Sequence, residues 1–260
     1  MYIKSKAPKL FVLENVASLA TTRHWADFSL IMNFLRNIKG KAGNPVYRLT
    51  WKVVNSLEHG VAQSRPRVYI VGLKKEHRKK RFRWPVPTPL PDLAQFLDSD
   101  LQKLPDVPTT ATEQTNYLSC AKAMIDQGKK LTDNFIADLG GGFGASKPGG
   151  THHNLAFGYA PCLTKSRCAG NSYYCFARGR KLNLAELFRL QGMPAHRIQA
   201  PKGVSTRQLR GMIGNSFAVP VFAAIVARAL YAVGLTDEPK NFVNGTGDDG
   251  NEWPTTTRRS

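Results

Sequence analysis

A short strand near the start of the chain, from Lys9 to Leu13, is apolar at every position after its first residue and leads directly into Glu14. Successive side chains of a strand point to opposite faces, so such a run needs apolar cover on both faces. This requirement is typical of a central parallel strand between helices. Helical spacing from Phe28 to Ile38 and alternation from Tyr47 to Val54 add a helix and a strand. The sequence therefore predicts an α/β sheet.

A row of polar donors precedes the next predicted strand, Val68 to Val71. Gln63, Arg65 and Arg67 occupy alternate positions, and in an extended chain alternate side chains project to one face. A guanidinium is costly to desolvate without a partner. The row is therefore either solvated or paired with carboxylates at a sheet edge, or it is a site for an anionic or carbonyl-rich ligand. This stretch alone leaves both interpretations open.

The charge balance favours a polyanionic partner. The chain has 37 Lys and Arg against 18 Asp and Glu, a net charge of +19. The densest basic run, residues 74–83, directly follows the arginine-bearing strand. A solvated turn or a nuclear-localisation patch is the alternative, but this position favours phosphate contact. The residues predicted to contact DNA in this run are Lys74, Lys75, Arg78, Lys79 and Lys80.

The sequence does not favour a secreted protein, a zinc site or a membrane span. The four cysteines form no C-x-x-C pair and the start of the sequence has no secretory pattern, which predicts an intracellular protein with reduced thiols. Depending on the source, this means the nucleus, or the cytoplasm and nucleoid. Three of the cysteines with His152 and His153 match no zinc spacing, so no metal site is predicted. The apolar segment from Ser216 to Leu235 contains Pro220 and Arg228, which favours a buried helix over a membrane span.

Composition divides the chain into four segments. Residues 1–84 carry the predicted sheet, and a proline-rich stretch opens a mixed, weakly periodic insert over 85–160. Helices return over 161–235, where Asn183 and Glu186 form a predicted capping box and Ser205 caps the next helix. The polar, glycine-containing tail over 236–260 is predicted to be disordered.

Four stretches together resemble the motifs of DNA (cytosine-5) methyltransferases, in the family's order. They are Glu14-Asn15-Val16, Gln63 to Arg67, Leu184 to Pro194, and Gly214 to Pro220. The resemblance extends from residue 8 to about residue 235. It implies a partial Rossmann-like, S-adenosylmethionine-dependent methyltransferase sheet over 1–84 and a small, irregular target recognition insert over 85–160. The return helices over 161–235 would complete the catalytic domain.

The resemblance also implies residue roles. In this family a cysteine thiolate attacks C6 of a flipped cytosine, and C5 takes the methyl group of S-adenosylmethionine. Glu14 matches the acid at ring N3, Arg67 the guanidinium at O2, and Arg65 a residue that steadies the site and the DNA backbone. Asn15 would fix the turn that holds Glu14 and contact the substrate, and Gln63 would face the extruded base. An alternative is that Glu14 and Arg67 form only a structural ion bridge.

The resemblance assigns Asn215 and Ser216 to the cofactor. The family's glycine-rich cofactor loop and its Pro-Cys nucleophile are expected before Glu14, where thirteen residues stand and none is cysteine. Pro161-Cys162 lies in a stretch that resembles the segment after the recognition insert. Asp138 to Gly144 lacks the strand–loop–helix setting of a cofactor loop.

We therefore expect the C-terminal portion of a methyltransferase, inactive by itself and with the cofactor-binding loop outside this chain. It would be a truncated gene, a relic, or a split subunit whose partner is the N-terminal half as a separate chain. Two alternatives are a non-catalytic DNA-binding or regulatory module, and a methyltransferase of the same family that acts on RNA.

Overall fold

The structure is a computed structural model that describes residues 2–99, 106, 108–140 and 155–239. The chain divides into two compact units. The first combines Met1–Asn55, Pro66–Pro87 and Val221–Ser260, and the second combines Ser56–Arg65 and Thr88–Pro220.

The first unit contains a three-stranded sheet in the order β1-β3-β2. Its strands are β1 (Leu10–Val16), β2 (Tyr47–Asn55) and β3 (Pro66–Lys74). Both outer strands pair antiparallel with β3, so β1 and β2 run in the same direction. The prediction of an α/β fold is confirmed, but β1 is not a central parallel strand among the described residues. The chain returns through β3 between the two earlier strands, which leaves β1 at one edge.

A helix packs its apolar stripe on one face of this sheet. Helix α1 (Tyr2–Lys6) contributes Ile3 to the same core, and helix α2 (Trp25–Arg36) buries Phe28, Met32 and Leu35 there. Phe11 lies opposite Gly72 in the β1–β3 register, and a Cβ on Gly72 would meet the Phe11 ring at 2.2 Å. The glycine therefore makes room for an aromatic ring on the covered face.

The apolar segment near the C-terminus forms helix α7 (Val219–Ala232). Within the described residues no single helix has the length and apolarity to cross a membrane; the pair Thr206–Asn215 and Val219–Ala232, bent at its break, meets those criteria by length and composition only. Arg228 is 7% exposed and lies on the same buried face of α7 as Val221 and Ile225.

The second unit contains a four-stranded antiparallel sheet in the order β5-β4-β6-β7. These strands are β4 (Phe135–Asp138), β5 (Leu155–Phe157), β6 (Tyr173–Cys175) and β7 (Arg180–Lys181). The helices are α3 (Ala111–Asp126), α4 (Lys165–Ala169), α5 (Leu184–Leu190) and α6 (Thr206–Asn215). The capping box of Asn183 and Glu186 is present, and Ser205 caps α6 as predicted.

The two units cut the chain differently from the four predicted segments. Leu93 and Leu97 from the insert share one buried cluster with Leu187 of α5 and Leu209 of α6. The helices after residue 161 therefore pack with the insert, and only α7 from Val221 onward joins the unit of the first sheet. The functional assignment of each segment stays a prediction, and residues 240–260 of the predicted tail lie outside the described residues.

Candidate functional site

Glu14 and Arg67 form an ion pair at one end of the first unit's sheet. The register sets Glu14 opposite Tyr69 and Val16 opposite Arg67, so the two charged residues are diagonal neighbours on one face. Nε of Arg67 donates to Oε1 of Glu14 at 3.0 Å, and the side chains of Arg67 and Glu14 are 12% and 19% exposed. Arg67 also donates from Nη1 to the Pro66 carbonyl at 2.9 Å. The structure thus brings together the two residues that the sequence singled out.

Asn15 follows Glu14 at the exposed end of β1. Its Oδ1 accepts a hydrogen bond from the backbone N–H of Val16 at 2.8 Å. This contact fixes the backbone immediately after Glu14, in line with the predicted local role. The side chain is exposed, so its predicted contact with substrate remains sterically open.

Gln63 is buried rather than facing solvent. The residue is 0% exposed, and its Nε2 donates to the Leu190 carbonyl at 2.8 Å and to Oε1 of Gln191 at 3.2 Å. Oε1 of Gln63 accepts from the backbone N–H of Leu163 at 3.1 Å. Both polar atoms of the side-chain amide are thereby engaged within the second unit. This placement supports a positioning role and does not favour the predicted contact with the base.

Arg65 is also an internal cross-link of the second unit. It is 5% exposed and donates to three carbonyls, those of Leu163 at 2.5 Å, Gly214 at 3.2 Å and Ser216 at 2.8 Å. The row predicted from alternate spacing therefore does not converge on one ligand. Arg65 instead holds the end of α6, where the terminal Gly-Asn motif begins, against the segment at Leu163.

Gln191 was not singled out from the sequence, although it joins the same network. It is 0% exposed, receives the hydrogen bond from Gln63, and donates from Nε2 to the Ile213 carbonyl at 2.9 Å. Its own carbonyl accepts from the N–H of Val219 at 2.9 Å. The Leu-Gln-Gly motif therefore ties the Gln-x-Arg stretch to both sides of the Gly-Asn motif. A glutamine directly before a helix-ending glycine was the available clue.

Gly214 lets the backbone of α6 pack directly against the backbone at Thr164. A Cβ at this position would lie 2.4 Å from the carbonyl carbon and oxygen of Thr164. Close approach, rather than an unusual backbone angle, requires glycine here, since Gly214 is not among the residues with positive φ.

Asn215 lies on the rim of a groove of about 850 Å³ between α4 and α6. The lining combines small and apolar residues with polar and charged ones, among them Lys165, Arg207 and Gln208. Asn215 is exposed at the last position of α6. Ser216 is held more firmly, because its Oγ donates to the Ile213 carbonyl at 2.6 Å and its own carbonyl accepts from Arg65. Of the two residues assigned to the cofactor, Asn215 has the freer side chain.

Cys162, of the Pro161-Cys162 pair, is half-buried in the second unit. Its Sγ lies 3.8 Å from Nη1 of Arg65, and its carbonyl accepts from the Tyr173 hydroxyl at 2.7 Å. The other three cysteines are buried, and burial raises the pKa of the Cys120 and Cys168 thiols to about 12. Cys162 is thus the most accessible thiol among the described residues.

The basic run lies at the opposite end of the sheet from Glu14 and Arg67. β3 begins at Pro66 beside the ion pair and ends at Lys74, which is the partner of Tyr47 at the start of β2. At about 3.3 Å per residue, Arg67 and Lys74 are separated by about 23 Å along the strand. The predicted DNA-contacting residues Lys75, Arg78, Lys79 and Lys80 follow Lys74 and are exposed. The structure therefore does not bring this run to the predicted catalytic pair.

A buried ion pair anchors α5, and sequence reasoning recognised only its capping half. Glu186 is 0% exposed, and its carboxylate accepts from Arg180 at 2.8 and 2.9 Å. The same carboxylate accepts from the backbone N–H groups of Asp98 at 2.9 Å and Asn183 at 2.8 Å. Glu186 thus joins α5 to β7 and to the insert, which makes this part of the motif structural.

No cluster of three or more His, Cys, Asp or Glu side chains suited to a metal ion occurs in the described part of the chain. His152 and His153 lie outside the described residues, as does most of the glycine-rich stretch after Asp138. Asp138 itself pairs with Arg167 at 3.1 Å, and its Oδ1 accepts from the N–H of Gly140 at 3.0 Å.

Comparison with known proteins identifies relatives of this chain. The chain is 34% identical over 242 residues to the type II methyltransferase M.HaeII of Haemophilus aegyptius, an alignment that covers 90% of this chain and 64% of that protein. It is 29% identical over 231 residues to M.SsoII of Shigella sonnei, covering 88% of this chain and 54% of that protein. The chain therefore spans less than two thirds of the length of these two relatives.

Solved structures share the fold at low sequence identity. The Entamoeba histolytica methyltransferase EhMeth matches with a TM-score of 0.51 at 13% identity, over 88% of this chain and 67% of that one. A mutant DNMT2 of Spodoptera frugiperda matches with a TM-score of 0.53 at 15% identity, over 88% of this chain and 70% of that one.

The family model described as C-5 cytosine-specific DNA methylase matches residues 1–230. The chain with the Glu14–Arg67 pair and the Gln63–Gln191 network therefore belongs to the C-5 cytosine-specific DNA methylase family.

Proposed function

We propose that this chain supplies the cytosine-holding part of a DNA (cytosine-5) methyltransferase. The observation that carries the proposal is the contact of Glu14 with Arg67, 3.0 Å apart and both partly open to solvent at the end of the sheet. A carboxyl group beside a guanidinium is the pair of groups that the reaction needs at one edge of the ring. The description of the matching family as DNA methylases supports DNA over RNA as the substrate.

The chemistry explains why the two groups must be neighbours. When a thiolate adds to C6, negative charge develops on the ring, with N3 and O2 as adjacent acceptors. A proton held by Glu14 at N3 and a guanidinium of Arg67 at O2 would stabilise that charge together. Because Glu14 and Arg67 already touch, one planar base edge can reach both without a rearrangement of the strands. In the absence of a base, the same contact pairs the two charges with each other.

Gln63, Arg65 and Gln191 have a different role in this proposal. They are positioning residues that hold the backbone of the Gly-Asn motif and of the segment at Leu163 in the second unit. Their hydrogen bonds go to carbonyls and amides of the protein, so they act through the segments they fix. A Lys or Met at position 65 would lose the fork that serves three carbonyls at once.

The residues of this chain would contact S-adenosylmethionine at one edge only, where the side chain of Asn215 is exposed. A groove of about 850 Å³, whose lining mixes apolar residues such as Val204 and Met212 with polar and charged ones such as Thr164 and Lys165, has the size of a small-molecule site. Asn215 would contribute its exposed carboxamide beside the cofactor, and Ser216 would keep that backbone in place. When bound, S-adenosylmethionine supplies the methyl group that C5 receives. The remaining contacts and the nucleophile would come from a polypeptide carrying the family's glycine-rich loop and Pro-Cys pair.

The test is a complementation experiment. The part of M.HaeII that this chain does not cover is supplied in trans or by fusion, and transfer of labelled methyl groups to unmethylated duplex DNA is measured. We expect no transfer by these 260 residues alone and transfer by the complemented protein. Glu14→Gln should slow the single-turnover rate by ~10²–10⁴-fold, as expected for loss of a general acid.

Asp27→Asn is the matched control, because this carboxylate is 72% exposed on α2 in the same unit. It should leave the rate unchanged. Labelling of DNA by the uncomplemented chain that disappears with Cys162→Ser would contradict the proposal, since it would place the nucleophile in this chain and reassign the motifs.

A further inference from the structure

Three arginines gather around one niche on the first unit, beyond the site proposed for the base. Arg48 comes from the edge strand β2, and Arg78 and Arg81 come from the basic run that follows β3. With Thr50, Phe82 and Trp84 they line a recess of about 50 Å³, and none of its eight lining residues is acidic. The recess has room for a group of a few atoms, such as one face of a phosphate, and not for a nucleobase.

The floor of this niche is rigid. Phe82 and Trp84 are 9% and 7% exposed, and their rings meet edge to face with centroids 5.1 Å apart. Nε1 of Trp84 donates to Oγ1 of Thr50 at 3.3 Å, which fastens the indole to β2. The aromatic groups are therefore packed into the unit rather than displayed for insertion into another surface.

The basic run is also fixed in position. The backbone N–H groups of Lys79 and Lys80 both donate to the carbonyl of Ala232, at 2.8 and 3.0 Å, and Lys75 donates to the Val46 carbonyl at 2.9 Å. The run is thus tied at one point to α7 and at another to the approach to β2. Its charges are held on one surface, which reduces the entropy lost when an anion binds.

The charge of this surface is barely compensated by the run's own acid. Glu76 is the sole acidic residue of 74–83, and it contacts Lys74 at 2.7 Å and His77 at 3.2 Å. The hydrogen bond from Lys74 lowers the pKa of Glu76, so this carboxylate is ionised and committed to its neighbours. The exposed cations Arg48, Arg78, Lys79 and Lys80 lie outside that contact.

We propose that the three-arginine niche and the adjoining run form a phosphate-binding surface for a nucleic-acid backbone, separate from the site of the reacting base. Guanidinium groups bind phosphate oxygens in a bidentate manner, and several cations along one surface match the regular spacing of phosphodiesters. A membrane surface is less suited, because the aromatic side chains are buried and do not project. Because Arg67 and Lys74 are about 23 Å apart, this surface does not contact the phosphates on either side of a base held at Glu14. The surface therefore binds the nucleic-acid backbone at a distance from the reacting base.

The test measures binding of the full chain to a labelled duplex of about 25 base pairs by fluorescence anisotropy over a series of salt concentrations. The triple variant Arg48→Gln/Arg78→Gln/Arg81→Gln removes the niche charges. We expect affinity to fall about tenfold or more for all sequences alike, and the salt slope to decrease by about 0.9 for each phosphate that the variant no longer binds. Thermal melting should be unchanged, which verifies that the variant is folded.

The control variant removes the same number of charges elsewhere in the first unit, as Lys4→Gln/Lys6→Gln/Lys41→Gln, at three exposed lysines. Its salt slope should match that of the unmodified chain. An unchanged slope in the arginine variant, or an equal decrease in both variants, overturns the proposal. So does loss of binding to anionic vesicles while duplex binding persists, which would identify a membrane surface. Because binding is measured without methyl transfer, this result is independent of the proposed catalytic role of Glu14.

Discussion

The Glu14–Arg67 pair can be dissected by a double-mutant cycle on the folded chain. Glu14→Gln and Arg67→Met each remove one charge and retain most of the side-chain volume. Two unit charges 3.0 Å apart attract by about 5.5 kcal/mol at an effective dielectric constant of about 20. Desolvation of the two ions offsets most of this attraction, since only 12% of the Arg67 side chain and 19% of the Glu14 side chain remain in water. We expect each single variant to lower the free energy of unfolding by about 2 kcal/mol, with a coupling of about 1–2 kcal/mol.

The cycle is measured by urea denaturation and compared with a matched exposed pair. Lys122 and Asp126 on α3 are 2.9 Å apart, but their side chains are 76% and 57% exposed. The coupling of that i,i+4 pair should be only about 0.3–0.5 kcal/mol. A Glu14–Arg67 coupling no larger than that of the control would refute the reasoning from burial.

The same variants separate a structural ion bridge from a catalytic pair. In the complemented protein, the catalytic role predicts that Glu14→Gln slows single turnover by ~10²–10⁴-fold with little change in DNA affinity. Arg67→Met should slow turnover and also weaken binding, because it removes a charge that contacts the base. If both variants melt at lower temperature but turn over normally per folded molecule, the pair is only structural.

Four further predictions concern the second unit. Gly214→Ala should destabilise the chain by about 1–3 kcal/mol in urea melts, because its Cβ would lie 2.4 Å from backbone atoms. Gly211→Ala in the same helix should be neutral or stabilising by up to about 1 kcal/mol, since the nearest atom would be 3.6 Å away. Glu186→Gln should cost about 3 kcal/mol by the same measurement, because it leaves a buried guanidinium without its carboxylate. A thiol reagent at pH 8 should modify Cys162 first, whereas Cys168, with its pKa raised by burial to about 12, should react only on unfolding. Because unfolded thiols ionise near 9 and this one does not, stability in thermal melts should be full below pH 9 and fall as pH rises towards 12.

Helix caps and single strands could be predicted from the sequence. The capping box at Asn183, the Ser205 cap and the strand from Tyr47 depend on residues within a few positions of one another, and all three are present. The resemblance to the methyltransferase family likewise depends on the chain alone, and the family match over residues 1–230 confirms that family. By contrast, helix α3 was missed within the insert. It buries only a narrow stripe, including Cys120 and Met124, against strands that come later in the chain.

The direction of each functional side chain was decided by tertiary structure. Alternate spacing predicted that Gln63, Arg65 and Arg67 project to one face, but spacing gives only the local direction of a side chain in an extended strand. Distant carbonyls of the second unit capture Gln63 and Arg65, and diagonal pairing across the sheet gives Arg67 to Glu14. The extended strand β3 also carries Lys74 to the far end of the sheet, about 23 Å from Arg67. Sequence therefore determined which residues carry charge and amides, whereas strand order and register determined which of them meet, because pairing across a sheet joins residues that are remote in the chain.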